Sequence, residues 1–396
     1  MKHDPLRIAL ITHYPAKDLV PLQSIKKKYH QGQHPVPWVR SFCNAFASRS
    51  DILVGVFVCT RAVRHHVRVE QGNVVFEFIP KYIPDRIEPF DGYIPRFLQL
   101  SPYIRPFSPD IVHGFGTESG NGALSTFLPY PNIISIQGIW EKLAPYCKLN
   151  KAQNYLKIQA EKWAVRRASG IIAKTNFAKQ WVRSINPTIP IALIPNALNP
   201  EFLKGFPSFE RPHVLCIGAM CQYKGTDVVL RAFSQVSSSK ARLRIIGGAS
   251  VLDHTNYVQL AENLGIRDQV DFLGNLTRKQ IIKEMETARL LVLGSRMDTS
   301  PNVIIEAHAA GLPVVGTKQG GIPDMIRHGQ DGFLVGLDQI DEFARKIECL
   351  VNDSSLGRVL GASGRRKVTA LHDPLQIAEA HLQFYKKVLA VRKKKL

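Results

Sequence analysis

Residues 294–321, GSRMDTSPNVIIEAHAAGLPVVGTKQGG, form the most informative stretch of this sequence of 396 residues. The stretch begins where an apolar run ends in glycine, as the end of a buried parallel strand would. Ser300 then offers an N-cap side chain, and Pro301 suits the first helical position. The predicted helix presents the N–H groups of Asn302 and Val303 just beyond the strand, where the helix dipole favours an anion. The stretch therefore predicts a strand, a helix and an anion site between them.

Two carboxylates flank the predicted start of this helix. Asp298 precedes the cap and Glu306 lies one turn inside the helix, so both can face one cleft from opposite sides of the helix start. The helix ends at Gly311, and the strand after it leads to Gly320-Gly321. A capped surface helix could carry either acid alone, but the order of the whole run favours a ligand site.

Short β-branched runs recur along the chain, and the segments between them have helical spacing. Several runs are apolar almost throughout, which is typical of parallel strands covered by helices on both faces. The pattern predicts an α/β fold with two Rossmann-like doubly wound domains facing a cleft. Most strand candidates of the second half end in glycine, which permits close approach of a ligand at that edge. These candidates are 213–218, 242–247, 269–274, 289–294, 312–316 and 332–336.

A segment rich in proline and glycine, residues 196–211, separates the two halves of the chain. We therefore expect an N-terminal domain over residues 1–200 and a C-terminal domain over residues 201–372. A strong helical pattern marks the remaining segment, 373–396.

The composition is that of a folded, basic protein. The chain has 52 Lys and Arg against 32 Asp and Glu, and residues 1–200 alone hold 25 basic and 12 acidic side chains, for a net charge of +13. This excess predicts an anionic partner. Basic residues are dispersed and no recognition motif is visible, so we expect no nucleic acid. An anionic membrane surface is the alternative, with Lys26–Lys28 and Trp38 as contacts.

No apolar run approaches the ~18 residues of a membrane span, and Ile8–Ile11 is too short for the core of a signal peptide. The six cysteines contain no Cys-x-x-Cys pair, and no histidine cluster completes a zinc pattern. We expect free thiols, no bound metal, and a cytoplasmic protein that can dock on the inner face of the membrane.

Residues 294–321 resemble the donor-site signature of retaining GT-B glycosyltransferases, especially glycosyltransferase family 4. Those enzymes carry two glutamates separated by seven residues, then Ala-x-Ala-x-Gly-x-Pro-Val-Val and a Gly-Gly pair. Here Glu306 is the second acid, followed by AHAAGLPVV and Gly320-Gly321. Asp298 is a shorter first acid at the same spacing, and Pro301 stands where the family usually has glycine.

Residues 218–225, GAMCQYKG, resemble a second family motif, Gly-Arg-x-x-x-x-Lys-Gly, whose Arg and Lys grip the donor diphosphate. Lys224 is present, but Ala219 replaces the arginine, which removes a charge-assisted contact worth about 1.5–3 kcal/mol. The donor-binding residues that the resemblance implies are Gly218, Ala219, Lys224, Gly247, Ser300, Asn302, Val303 and Glu306.

The N-terminal half resembles the family less closely. Asp110–His113 is similar to the family strand that leads to the cleft, and Ile194–Asn196 is similar to its Pro-Asn-Gly loop. Gln137 stands where many members have histidine, and the glycine-rich turn after the first strand is not recognisable near His34–Trp38. The candidate acceptor-side residues are His113, Glu118, Gln137 and Trp38.

The resemblance implies a retaining, metal-independent hexosyltransferase of cell-envelope polysaccharide biosynthesis. It would move a sugar from a nucleotide-diphospho-sugar, with UDP or GDP, to a glycan, lipid-linked or small-molecule acceptor, without a cofactor. Glu306 would bind the ribose hydroxyls and Asp298 the sugar hydroxyls. Lys224 and the helix N–H groups would neutralise the leaving diphosphate. The C-terminal helix, residues 377–391, would pack back on the N-terminal domain.

Two alternatives stay open. Ala219, Gln137 and the missing glycine-rich turn motivate a non-catalytic GT-B paralogue that binds a sugar nucleotide or a polyanion. A GT-B epimerase or phosphorylase is the other, although the family 4 spacing argues against it.

Overall fold

The computed structural model describes residues 4–29, 37–82, 92–238 and 240–393, which form two compact units. Unit 1 takes the chain up to Ala197 and again from Pro374 onward, and unit 2 takes Leu198–Asp373. These limits differ by three residues and by one residue from the expected domain boundaries.

Unit 1 is built on an eight-stranded sheet with the order β3-β4-β2-β1-β5-β6-β7-β8. All neighbouring strands are parallel except β3 and β4, which form an antiparallel pair. Apolar clusters cover both faces of the sheet, which explains why most residues of these strands are apolar. The strands are β1 (Leu6–Ile11), β2 (Ile52–Thr60), β3 (Val67–Gln71), β4 (Val74–Pro80), β5 (Ile111–Phe115), β6 (Asn132–Ser135), β7 (Gly170–Ala173) and β8 (Ile191–Leu193).

The β-branched runs of the N-terminal half predict seven of these strands, but not β3; the runs are 7–12, 52–60, 74–80, 110–113, 132–137, 170–174 and 191–195. Val67–Gln71 is an edge strand without a fully buried residue, and two of its five positions are charged. Its pairing with β4 therefore depends on the short turn at residues 72–73, not on an apolar run.

Helices of unit 1 connect consecutive strands and cover the sheet. The longest of the described connecting helices, Lys151–Arg167, begins at a capping box formed by Asn150 and Gln153. The helices are α1 (Pro37–Phe46), α2 (Ile94–Phe107), α3 (Asn121–Phe127), α4 (Trp140–Leu143), α5 (Lys151–Arg167) and α6 (Asn176–Ile185). Short 3-10 helices lie at Ala16–Asp18, Leu22–Ser24, Lys27–Tyr29 and Ala144–Tyr146.

Unit 2 contains a six-stranded, fully parallel sheet with the order β11-β10-β9-β12-β13-β14. The strand order reverses beside β9, and in doubly wound sheets ligands bind outside the carboxyl ends of the strands at that point. The strands are β9 (His213–Ile217), β10 (Arg242–Ile246), β11 (Val270–Gly274), β12 (Ala288–Leu293), β13 (Val314–Thr317) and β14 (Gly332–Val335). All six were predicted, so the doubly wound fold class is confirmed.

The helices of unit 2 follow the same alternation. They are α7 (Thr226–Phe233), α8 (Val251–Asn263), α9 (Arg278–Thr287), α10 (Asn302–Ala310), α11 (Ile322–Met325), α12 (Ile340–Asn352) and α13 (Ser354–Leu371). Short 3-10 helices lie at Pro200–Leu203, Gln222–Lys224 and Arg267–Gln269.

The last helix, α14 (Pro374–Lys393), belongs to unit 1. Its buried side chains join the apolar cluster that α1 and the sheet form, and Tyr385 is fully buried there. The predicted return of the C-terminal helix to the N-terminal domain is therefore confirmed. All six cysteines are free thiols, as expected.

Candidate active site

The carboxyl ends of β9, β10 and β11 are packed together through glycine backbones. The N–H of Gly218 donates to the carbonyl of Ile246 over 2.9 Å, and that of Gly247 donates to the carbonyl of Gly274 over 2.8 Å. Gly247 has a φ of +146°, and a Cβ there would lie 1.9 Å from the Gly218 oxygen. Gly247 is therefore required for close backbone packing at this edge, and the next residue after Gly218, Ala219, is exposed.

Lys224 is carried on a turn that is locked against the end of β12. The short 3-10 helix Gln222–Lys224 ends at Gly225, whose φ is +66°. A Cβ at Gly225 would lie 1.8 Å from the carbonyl oxygen of Gly294, so no larger residue fits without a shift of the backbone. The glycine directly after Lys224 thus has a steric cause, and the tight packing places the lysine at the strand edge.

The ammonium of Lys224 lies 2.6 Å from Oδ2 of Asp298. Both side chains are mostly buried, with exposed fractions of 25% and 13%. Burial, the largest single influence, acts to lower the pKa of Lys224, but the charge and hydrogen bond of Asp298 together with Tyr223 and Cys221 hold that pKa above its usual range. Lys224 is therefore a permanent cation here. Its partner, Asp298, was predicted to bind the donor sugar instead.

Backbone contacts hold the main chain of Asp298 in place. Its carbonyl accepts the N–H of Gly321 over 2.8 Å, and a Cβ at Gly320 would lie 2.2 Å from the same oxygen. The N–H groups of Arg296 and Met297 both donate to the carbonyl of Tyr223, over 2.8 and 3.3 Å. The Gly-Gly pair and the Lys224 turn therefore clamp one loop from two sides.

The start of α10 differs from the prediction. The helix begins at Asn302, and Pro301 takes the N-cap position with a φ of −67° and a ψ of 110°. Ser300 makes no capping bond, and its hydroxyl instead donates to Sδ of Met325 over 3.8 Å. The assignment of Ser300 as the cap was wrong because the extended backbone of Pro301 occupies that place. Pro301 makes no side-chain capping hydrogen bond, and the dipole of α10 favours an anion at this end.

Glu306 lies half-buried in the second turn of α10. Its carboxylate has no hydrogen-bond partner among the residues that the structure describes. Burial raises the pKa of Glu306 to about 7, although the Arg278 guanidinium acts in the opposite direction. Arg278 itself is bound to Glu201 over 3.0 Å. Among the described residues, Glu306 is thus a hydrogen-bond acceptor that remains available to a ligand.

Arginine is absent from position 219, and the arginine in the loop before α10 is already engaged. Arg296 forms a bidentate pair with Asp227, with N–O distances of 2.7 and 2.6 Å, and also donates to the carbonyl of Gln222. It therefore braces the turn of Lys224.

The structure gives His113 a structural role, which corrects its assignment to the acceptor. The side chain is fully buried in β5. Nδ1 lies 2.6 Å from the hydroxyl of Tyr385, and Nε2 lies 2.8 Å from that of Ser135. Burial holds the pKa of His113 well below its usual range. Both ring nitrogens are used within the core, so none is left for a ligand.

Glu118 and Gln137 belong to the loops at the carboxyl ends of β5 and β6. Glu118 is half-buried and accepts the N–H of Gly138 over 3.2 Å, and burial raises its pKa. Glu161, which sequence analysis missed, lies fully buried behind the same loop and accepts the N–H of Trp140 over 2.9 Å. These two acids brace the loop that carries Gln137, and Glu118 therefore has a structural contact in addition to its predicted role.

Trp38, in α1, lines a small cavity of unit 1 together with Lys174, Asn196 and His381. Gln137 contacts the lining of this cavity through Asn196. Nδ2 of Asn196 lies 3.5 Å from Oε1 of Gln137. Residues 34–36 of the predicted His34–Trp38 segment lie outside the described residues. Lys174 and His381 are not among the predicted site residues. The signal that could have found Lys174 is its position directly after an apolar strand.

Within the described ranges, no group of three or more His, Cys, Asp or Glu side chains comes together as a metal site. Among the helices of those ranges, none is long and apolar enough to cross a membrane.

Curated relatives match parts of the chain. One is a GDP-mannose-dependent α-(1-6)-phosphatidylinositol monomannoside mannosyltransferase of Mycobacterium tuberculosis, 30% identical over 183 residues, which are 44% of this chain and 47% of the relative. Another is the N-acetyl-α-D-glucosaminyl L-malate synthase of Bacillus anthracis, 32% identical over 146 residues, which are 37% of each chain. The chain thus matches less than half the length of these relatives.

Among solved structures, a sucrose-phosphate synthase from Thermosynechococcus elongatus has the same fold, with a TM-score of 0.81 and 21% identity over 98% of this chain and 100% of that one. The family model for Glycosyltransferase Family 4 matches residues 38–202, and that for Glycosyl transferases group 1 matches residues 203–367. Both units are therefore covered by matches to one kind of protein, and the chain belongs to glycosyltransferase family 4.

Proposed function

We propose that the chain is a retaining glycosyltransferase that uses a nucleotide-diphospho-sugar as donor, with UDP or GDP as the nucleotide. The observation that carries the proposal is the arrangement at the carboxyl edge of unit 2. There a cation, Lys224, the helix start at Asn302 and the carboxylate of Glu306, which has no partner among the described residues, belong to the same strand–helix framework. A nucleoside diphosphate offers the matching groups, namely an anionic diphosphate and two ribose hydroxyls.

In the proposed reaction the bond between the sugar C1 and the diphosphate oxygen breaks, and the oxygen leaves with the electron pair. Lys224 and the N–H groups at the start of α10, those of Asn302 and Val303, stabilise the charge that develops on the diphosphate. The acceptor hydroxyl oxygen bonds to C1 on the side that the diphosphate leaves, and its proton passes to a diphosphate oxygen. The configuration at C1 is therefore retained, and no step is assigned to a metal ion or to a cofactor.

The pair between Lys224 and Asp298 has a consequence for donor binding. Asp298 lies next to the cation that the diphosphate needs, so the carboxylate competes with the diphosphate when the donor enters. We assign Asp298 to the donor sugar only after this exchange, once Lys224 has turned to the phosphates. After the exchange, Lys224 would make its predicted contact with the diphosphate and Asp298 its predicted contact with the sugar hydroxyls.

Lys224→Ala is expected to weaken binding of UDP or GDP by about 10–150-fold, because one charge-assisted contact is worth about 1.5–3 kcal/mol. Binding of the free nucleoside should stay unchanged, since it carries no phosphate. Calorimetric titration of the nucleoside and of its diphosphate measures both affinities. Lys283→Ala, at an exposed position on α9, is the matched control. Equal losses for both ligands would mean that Lys224 only supports the fold.

The acceptor is proposed to carry an anionic group or to be linked to a membrane lipid. The net charge of +13 in residues 1–200 supports this, as do the acidic groups in the names of the mannosyltransferase and malate synthase relatives. Trp38 lines a cavity and is therefore a poor candidate for insertion into lipid. Ile94 and Leu98 on α2 are the better candidates, because more than half of each side chain is exposed.

Co-sedimentation with liposomes tests this membrane contact. The protein is expected to bind vesicles that contain anionic lipid, and binding should fall as salt shortens the screening length from about 10 Å at 0.1 M to about 3 Å at 1 M. Ile94→Ser combined with Leu98→Ser should weaken it further, whereas Lys283→Ala in unit 2 should not. Failure to sediment at low salt would exclude membrane docking and favour an acceptor in solution.

The proposed activity is tested by screening UDP-, GDP- and ADP-sugars for thermal stabilisation and for turnover. A donor at 100 times its dissociation constant should add about 2.7 kcal/mol to the free energy of unfolding. Release of nucleoside diphosphate, with or without an acceptor, separates a transferase from the non-catalytic paralogue that the exposed Ala219 would favour. Stabilisation without any release would support the paralogue.

A further inference from the structure

Unit 1 contains a small cavity that is lined by a lysine with no counter-ion among the described residues. The cavity has a volume of about 10 Å³ and lies at the carboxyl edge of the sheet, because its lining includes the last residue of β5, Phe115, and residues that directly follow β7 and β8. Doubly wound sheets bind ligands at this edge. All of its lining residues belong to unit 1, and most of them are apolar or aromatic, as in many sites for small ligands.

Lys174 is the cation of this cavity. The residue follows β7 directly, and only 5% of it is exposed. Its ammonium forms no hydrogen bond or ion pair with any residue that the structure describes. Burial lowers the pKa of Lys174 to about 7, and no nearby acid acts against that effect. A buried polar group without a partner is costly, so the three N–H donors of the ammonium call for an acceptor from outside the protein.

His381, on α14, offers the complementary group. Its Nδ1 lies 2.7 Å from the carbonyl of Ile377, so Nδ1 carries the proton and donates it there. Nε2 is then a bare acceptor, and it is buried without a partner among the described residues. Burial and the charge of Lys174 lower the pKa of His381 to about 3, which keeps the ring neutral.

The cavity volume and the two polar groups, Lys174 and His381, together indicate which kind of ligand atom fits. A volume of about 10 Å³ holds one water-sized oxygen. That oxygen must accept a hydrogen bond from Lys174 and donate one to the bare Nε2 of His381. An alcohol oxygen does both, whereas a carboxylate or halide cannot donate and would face the lone pair of the histidine.

We propose that this cavity binds one hydroxyl group of the sugar or polyol acceptor, with Lys174 as donor and His381 as acceptor of its hydrogen bonds. Trp38, which lines the same cavity, would then lie beside the rest of the acceptor. The inference rests on the proposed function, since it assigns the subsite to the acceptor of that reaction. Lys174 and His381 are thereby determinants of acceptor specificity.

The test measures acceptor and donor separately in the full-length chain. A panel of free monosaccharides and myo-inositol is titrated against the wild type with the donor nucleotide bound, and the mono-deoxy analogues of the best binder follow. One deoxy analogue is expected to bind about 5–150-fold more weakly than its parent, the range for a buried group left unpaired. In Lys174→Met, parent and analogue should bind equally, because the side-chain partner of that hydroxyl is gone.

Lys179→Met, at an exposed position of α6, is the control and should behave as the wild type. His381→Asn provides a second variant, which is smaller and keeps an acceptor, and it should retain part of the discrimination. Thermal unfolding checks that each variant is folded. Nucleotide affinity should change less than twofold throughout, and a wild type that binds no nucleotide at all would contradict the proposed function itself.

The subsite is overturned if every deoxy analogue loses the same affinity in the wild type and in Lys174→Met. It is equally overturned if no member of the panel binds in a way that depends on Lys174 while nucleotide binding is intact, because a buried water would then be the only occupant.

Discussion

Glu306→Ala is expected to reduce glycosyl transfer by about 10²–10⁴-fold while leaving the fold intact. The half-buried carboxylate has no partner among the described residues, so its proposed contacts with two ribose hydroxyls are its main interactions. Each hydrogen bond to a charged group is worth about 1.5–3 kcal/mol, which gives about 3–6 kcal/mol for the pair. Steady-state kinetics with the best donor of the screen measures the loss.

Glu306→Gln separates the charge from the shape. Glutamine keeps one acceptor oxygen and should retain part of the nucleotide affinity. The folded state raises the pKa of Glu306 from 4.5 to about 7, so ionisation opposes folding, and wild-type stability should fall as pH rises between these values. The glutamine variant should therefore be more stable than the wild type at pH 8 and should lose this advantage towards pH 4.5. A folded Glu306→Ala variant with near-normal transfer would contradict the donor-site assignment.

A chain that ends at Asp373 is expected to be unstable and to aggregate, because it lacks α14. The large apolar side chains that α14 buries in unit 1 are Ile377, Leu382, Phe384, Tyr385 and Val388. At about 1.5–3 kcal/mol for each, their burial is worth about 7–15 kcal/mol, which is comparable with the total stability of a typical domain. Expression, solubility and thermal unfolding of the truncated chain measure the effect.

A chain that ends at Val391 is the matched control, since it keeps all of these buried side chains. It should fold and unfold like the full-length protein.

The loss of α14 also removes the hydroxyl of Tyr385 from His113 and leaves a buried histidine nitrogen unpaired. A soluble and active chain that ends at Asp373 would show that the helix is dispensable.

Local patterns were enough to predict most of the fold. Apolar runs covered on both faces marked all six strands of unit 2, and the order of residues 294–321 predicted the strand, the helix and the next strand correctly. The error at the start of α10 arose because the sequence preferences for the N-cap position fit two neighbouring residues. Ser300 and Pro301 are both good residues for a helix start, and only the extended backbone of Pro301 decided which of them takes the cap position.

The pairing of side chains could not be predicted from those patterns. Lys224 and Asp298 are 74 residues apart, and His113 and Tyr385 are 272 residues apart. Each pair meets because the order of the strands or the return of α14 brings distant segments together. Lys174 and His381 line one cavity for the same reason, because the return of α14 brings together two segments that are distant in sequence. Nothing in the sequence around either residue predicts the other.

The sequence by itself therefore determined most of the strands and helices and the place of the donor-side motifs, because periodicity and turn chemistry act over a few residues. Only the tertiary structure decided that His113 is a core residue, that Lys224 is held by Asp298 and that Lys174 and His381 line the same cavity. Burial and charge pairing depend on which segments pack together, and that packing is set by the order of strands in each sheet and by the last helix of the chain.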